Sequence, residues 1–184
     1  MARAAPLIVM VAAVGAAHLL DPWGLGLHNP DARSHDWHRL LRVCGSLLTW
    51  LAVGLGLWLH DRSGRRAGML VLSASLSGLA AEVLKVVLRR VRPVSVWEGY
   101  AFEPWAGEWW STAGLGLPSS HAAVAFGAGW AMVRLSPRGG WVVLALAVGC
   151  GLTRVIDRAH FISDVVMAAC VAWVVCVGLW SRWR

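Results

Sequence analysis

The sequence predicts an all-α polytopic membrane protein, a bundle of six transmembrane helices with its active site at one membrane face. Three observations predict it. The chain of 184 residues is 58% hydrophobic, above the roughly half-apolar composition of a soluble domain. The excess is gathered in long runs almost without charge, and a helix needs about 20 such residues to cross about 30 Å of hydrocarbon. The charged residues fall between and beside these runs. Lipid demands that each backbone polar group be paired within its own segment, so the runs are read as helices. The length fits one domain, residues 1–184.

Six runs follow in order. Ala4–Leu20 comes after a basic start at Arg3 and could mimic a secretory signal. No small-residue cleavage site leads into a soluble domain, so it reads as a retained first helix. The next runs are Leu40–Leu59, Ala67–Leu88, His121–Leu135, Trp141–Arg154 and Phe161–Trp180. The shorter ones suit helices enclosed by neighbours. Among the connections, Asp21–Arg39 is polar, contains Pro22 and Pro30, and is expected to hold a short surface helix from near Asp31. His60–Arg66 is a tight basic loop, and Ser136–Gly140 is a Pro/Gly turn. Arg89–Pro118 is the longest connection and carries Trp97, Tyr100, Trp105, Trp109 and Trp110. These aromatics suit an interfacial belt, or a cover for a site. Val155–His160 is short and charged.

The net charge of +7 would suggest nucleic acid in a soluble protein. Here the arginines flank apolar runs, so orientation and anionic head groups account for them, and no nucleic-acid partner is expected. With the N-terminus inside, Arg3, Arg62, Arg65, Arg66, Arg134, Arg138, Arg182 and Arg184 lie inside. Arg33, Arg39, Arg89, Arg90, Arg92, Arg154 and Arg158 lie outside. Setting aside arginines of the third and fifth connections that function can hold there, the inside is richer. Both termini are therefore expected in the cytoplasm, with the third and fifth connections together on the outer face. Cys44, Cys150, Cys170 and Cys176 lie in or beside apolar runs and read as small buried residues.

Three clusters carry chemistry. The first is Lys85, Arg92 and Pro93. Lys85 is the one lysine beside sixteen arginines, near the end of an apolar helix where an unpaired charge is costly. Seven positions on, two helical turns, Arg92 would share its face, and Pro93 favours a helix end there. Arg89 and Arg90 read as snorkelling side chains. The second cluster, Pro118 to His121, opens a helix. Ser119 is a candidate N-cap, free N–H groups there suit an anion, and His121 can move protons near neutrality. The third is Arg154, His160 and Asp164. His160 and Asp164 are four apart, so a carboxylate bonded to one ring nitrogen can leave the other free to attack. Asp157 and Arg158 between them suit a solvated ion pair.

Each cluster alone has a plain structural explanation: a snorkelling group, a capped helix, a His–Asp pair. Together they supply three cations, a helix N-terminus, two histidines and an orienting carboxylate. Phosphoryl transfer needs that set. No carboxylate cluster suggests magnesium, so neither a metal nor a cofactor is expected.

The three clusters resemble the motifs of the type-2 phosphatidic acid phosphatase superfamily, which includes glucose-6-phosphatase-like enzymes and vanadium haloperoxidases. Lysine, six residues, then Arg-Pro matches Lys85 to Pro93. Pro-Ser-Gly-His matches Pro118 to His121, with Ser120 for glycine. Ser-Arg, five residues, His, three residues, Asp matches Arg154 to Asp164, with Thr153 for serine. The motifs cover about Glu82 to Val165. The resemblance implies that His160 attacks phosphorus, Asp164 orients it and His121 protonates the leaving oxygen. Lys85, Arg92, Ser119 and Arg154 would bind phosphate with the backbone N–H of Ser120.

The implied protein is an integral membrane, metal-independent lipid phosphatase working through a phosphohistidine. Phosphatidate, phosphatidylglycerol phosphate, polyprenyl (undecaprenyl) diphosphate and lipid A phosphates are candidate substrates. The expected location is a bacterial plasma membrane with the site facing outward. Two alternatives remain at this stage: a lipid phosphotransferase, and a non-catalytic phospholipid-binding membrane protein. Haloperoxidase activity is disfavoured because those relatives are soluble.

Overall fold

The computed structural model describes residues 5–62, 64–93 and 98–182. Arg3, Trp97 and Arg184, named above, lie outside the described residues. Among the described residues there are seven α-helices: α1 (Ala5–Leu25), α2 (Asp36–Val43), α3 (Leu47–Asp61), α4 (Gly64–Leu88), α5 (Ser120–Leu135), α6 (Pro137–Ile156) and α7 (Ile162–Arg182). A 3₁₀ turn, Pro30–Ser34, precedes α2. Among the described residues the only β pairing is two isolated bridges, Arg90 with Phe102 and Val91 with Leu115.

The expected helical bundle is present; among the described residues, helix length and hydropathy mark four or five spans and do not confirm six. Four helices, α1, α4, α6 and α7, are long and apolar enough to cross a membrane by themselves. A fifth span arises if α2 and α3, bent by 67° at their junction, are taken as one. The run Leu40–Leu59 therefore forms two helices. At the break Gly45 packs where a Cβ would come within 2.9 Å of Cys150 Sγ and of His121 Cβ, so only glycine lets the chain pass this close. α5 has 16 residues, short of a full crossing. It is the central helix, packed on α4, α6 and α7, and its buried face is mostly Ala and Gly, which allows close helix approach. A helix enclosed in this way does not need to match the bilayer.

α1 runs five residues past its predicted end, through Asp21 and Pro22 to Leu25. α4 ends at Leu88, where the predicted apolar run ends, and does not continue to Arg92 as Pro93 suggested. Arg89 takes a left-handed conformation (φ 51°) and its N–H bonds the Lys85 carbonyl, a helix-ending αL turn. Its side chain is fixed by the carbonyls of Glu103 and Trp109. Arg92 is therefore on extended backbone, bonded to Gly114 O through its own N–H, and does not continue the helix face of Lys85.

The helix ends that carry the three clusters meet at one end of the bundle. Cys44, Cys150 and Cys176 are buried, and all four cysteines are free. With several membrane-capable helices, the chain is an integral membrane protein.

Candidate active site

A polar cavity of about 550 Å³ opens at that end. Lys85, Arg92, Ser120, His121, Arg154 and His160 line it, together with Glu82, Ser111, Thr112 and Ala113. α4 supplies Glu82 and Lys85, α5 supplies Ser120 and His121, α6 supplies Arg154, and the α6–α7 turn supplies His160. Two of the residues to which the resemblance gives a role, Ser119 and Asp164, do not line the cavity. Both are fully buried behind it.

Each wall has a local cause. Ser119 caps α5, its Oγ accepting from the N–H of Ala122 at 3.4 Å. Its own N–H donates to the Asp164 carbonyl at 3.2 Å, which ties the start of α5 to α7. Ser120, standing where the motif has glycine, turns its hydroxyl into the cavity. Lys85 Nζ reaches that hydroxyl at 2.5 Å and Glu82 Oε1 at 2.8 Å, and Ser120 Oγ also donates to Glu82. Thr153, in place of the motif serine, is buried and spends its hydroxyl on the Cys150 carbonyl at 2.7 Å.

His160 is 3% exposed. Its Nδ1 donates to the carbonyl of Gly116 at 2.9 Å and lies 3.4 Å from Asp164 Oδ2. Acceptors on the Nδ1 side leave Nε2 as the nitrogen with a lone pair. Burial holds the imidazole below the ordinary histidine range, more strongly than Asp164 raises it, so the ring is neutral at pH 7. Asp164 accepts from the Phe161 N–H at 2.8 Å.

Arg154 bonds Asp157 at 3.4 Å through Nη1, and among the described residues its buried Nε has no partner. Asp157 is also buried. It takes Arg33 Nε at 2.8 Å and faces His38 Nε2 at 3.2 Å. The expected solvated Asp157–Arg158 pair is therefore replaced by a buried hub under Arg154, while Arg158 reaches the Leu25 carbonyl at 3.4 Å.

Sequence reading missed several partners. Arg90 does not snorkel. It is 1% exposed, paired with Asp164 and bonded to Ser163 Oγ at 2.7 Å. It also lies over the Tyr100 ring at 4.7 Å and the Phe161 ring at 5.1 Å. Glu82, three positions before Lys85, lines the cavity and carried no motif signal. The indoles of Trp105, Trp109 and Trp110 stay exposed, and it is the small residues after them that form the cavity wall.

Comparison with known families decides the class. A model of the PAP2 superfamily matches residues 66–184. The chain belongs to the PAP2 superfamily. The matched stretch contains every cavity-lining residue, and membership of this superfamily suggests phosphatase activity on phosphate esters. No curated protein and no solved structure matches the chain. Among the described residues no group of three or more His, Cys, Asp or Glu side chains is placed to hold a metal ion.

Proposed function

We propose that this PAP2 protein is a lipid phosphatase that hydrolyses a phosphomonoester or diphosphate through a phosphohistidine at His160. One observation carries the reading: a single polar cavity holds three cations and two histidines at the end of an apolar bundle.

The substrate phosphate enters among Lys85, Arg92 and Arg154. Fixed positive charge is most useful on equatorial oxygens whose charge builds during transfer. Arg154 lines the cavity beside Lys85 and Arg92. His160 Nε2 attacks phosphorus, forming the N–P bond as the P–O bond to the lipid breaks. His121 gives its proton to the departing oxygen. Water then attacks the phosphohistidine, His121 takes a proton from it, and inorganic phosphate leaves with His160 restored. Through this cycle Gly116 and Asp164 keep the proton on Nδ1.

A lipid substrate fits a cavity at the end of membrane-capable helices, where the phosphate can be reached while the chain stays in hydrocarbon. The arginine distribution supports cytoplasmic termini and an outward-facing site, as in a bacterial plasma membrane. Labelling of single cysteines placed in the α3–α4 turn and in the loop before α5 tests that orientation. Labelling of the first from outside the cell would reverse it.

The test of function is phosphate release by the purified protein in detergent with EDTA. Polyprenyl diphosphate, phosphatidate and phosphatidylglycerol phosphate are supplied in parallel. Turnover on at least one of them, lost in His160→Ala, is expected. Turnover only on a soluble phosphate ester would remove the lipid from the reading. An added lipid alcohol that gains the phosphoryl group would make the protein a transferase.

A further inference from the structure

α1 lies outside the family match, which begins at residue 66, yet it reaches the innermost part of the site. Asp21, near its C-terminal end, is 1% exposed. An intramembrane carboxylate is costly unless it is fully bonded. Asp21 accepts from the Ser163 N–H at 2.8 Å, the Ser163 hydroxyl at 2.5 Å and the Tyr100 hydroxyl at 2.7 Å. One turn earlier, His18 donates from Nδ1 to the Val14 carbonyl at 2.7 Å. Its Nε2 is then an acceptor, and Arg90 Nη1 stands 3.1 Å away.

These bonds do not stop at the helix contact. Ser163 Oγ gives its one proton to Asp21 and so presents a lone pair to Arg90 Nη2, at 2.7 Å. The same Nη2 bonds Asp164 Oδ1, and Asp164 Oδ2 faces His160 Nδ1 at 3.4 Å. An unbroken polar chain thus runs Asp21–Ser163–Arg90–Asp164–His160. Its one hydroxyl, that of Ser163, donates to Asp21 and accepts from Arg90, so changing the first acceptor changes what the later groups can bond.

We propose that Asp21 and His18 are positioning residues for the phosphatase reaction, holding Arg90 and hence the Asp164 carboxylate and the His160 ring from a helix outside the family core. The proposal rests on His160 being the nucleophile. Neither residue touches substrate. Both act through Ser163 and Arg90, and a ring displaced by a fraction of an ångström loses its line to phosphorus.

The alternative is a latch that only holds α1 to the bundle. Full-length protein in detergent separates the two. Wild type, Asp21→Ala, His18→Ala, Tyr100→Phe and His160→Ala are compared by kcat, KM and thermal midpoint, with kcat taken per monodisperse folded enzyme. Positioning predicts that Asp21→Ala lowers kcat about tenfold with KM within about twofold, and that His18→Ala moves kcat in the same direction. A latch predicts a lower thermal midpoint with wild-type kcat in the folded fraction, and that result overturns the proposal. Should Asp21→Ala fail to fold, Tyr100→Phe, which removes one of the donors to Asp21, and His18→Ala carry the same comparison. If His160→Ala keeps turnover, the nucleophile reading itself falls. If it is inert while the α1 variants match wild-type kcat, the positioning inference alone falls.

Discussion

His160 Nδ1 stands 2.9 Å from the carbonyl oxygen of Gly116 and 3.4 Å from Asp164 Oδ2. The backbone contact is the shorter, and a carbonyl can only accept. The Nδ1–H tautomer therefore has a support that survives loss of the carboxylate. Asp164→Asn is predicted to cost about 10²-fold in kcat, less than the roughly 10⁴-fold seen where a lone carboxylate fixes the tautomer. Steady-state turnover of the variant checks this. A loss equal to that of His160→Ala would assign the tautomer to Asp164 alone.

Gly116 is tight for a side chain. A Cβ there would meet Asp164 Oδ2 at 3.0 Å and the Arg92 Cα at 3.5 Å. Gly116→Ala is predicted to push the carboxylate from His160 and to destabilise by about 1–3 kcal/mol, the usual overpacking cost. The expected kinetic sign is lower kcat at nearly unchanged KM. An unchanged kcat would mean that the carbonyl holds the ring without the carboxylate.

Removing Arg90 strands Asp164, a carboxylate with 0% exposure. Breaking a buried pair from one side costs about 3–5 kcal/mol. Arg90→Met is expected to lower the thermal midpoint in detergent far more than Arg89→Met. Arg89 bonds backbone carbonyls and the half-exposed Glu103. Equal shifts would return Arg90 to the snorkelling role.

The pH dependence has a definite sign. In the proposed reaction His160 attacks as neutral imidazole, and burial lowers its pKa. Activity should persist below the ordinary histidine value of about 6.5 and fall only as pH drops through the lowered value. The same shift makes the unfolded chain bind more protons, so this histidine contributes stability above about pH 6.5 that is lost on acidification. A kcat/KM profile with its acid limb above 6.5 would contradict a buried neutral ring.

Glu82 puts a carboxylate into a cavity lined by Lys85, Arg92 and Arg154. Glu82→Gln keeps an acceptor for Lys85 and Ser120 while removing the charge. With the side chain 41% exposed, solvent screens much of the effect, and a several-fold tighter inhibition by inorganic phosphate is expected, about threefold to tenfold. Weaker inhibition would show that Glu82 matters chiefly for holding Lys85.

The cavity-lining residues of the three clusters were legible because their spacing is local. Lys85 to Arg92, Ser120 beside His121, and Arg154 to His160 each lie within about two helical turns of chain, and the apolar runs between them set their helix ends together. What escaped was set by contacts across the fold. Asp21 read as the start of a loop because its partner Ser163 is 142 positions away. Arg90 read as an interfacial cation because Asp164 is 74 positions away. The bend between α2 and α3 is fixed by Gly45 against α5 and α6, and no periodicity marks such a break. Arg92 was expected beside Lys85 on one helix face. It reaches the same cavity from extended backbone because the left-handed turn at Arg89 ends α4 first.

The most direct measurement is the chemical identity of the trapped intermediate. Enzyme mixed with phosphate-labelled lipid substrate is quenched in base within a turnover and digested, and the peptides are sequenced by mass spectrometry. The account predicts one phosphoryl group on the peptide carrying His160, stable to base, lost in acid, and absent from His160→Ala. Label on His121 or on a serine, or full turnover in His160→Ala with no labelled protein, would contradict it.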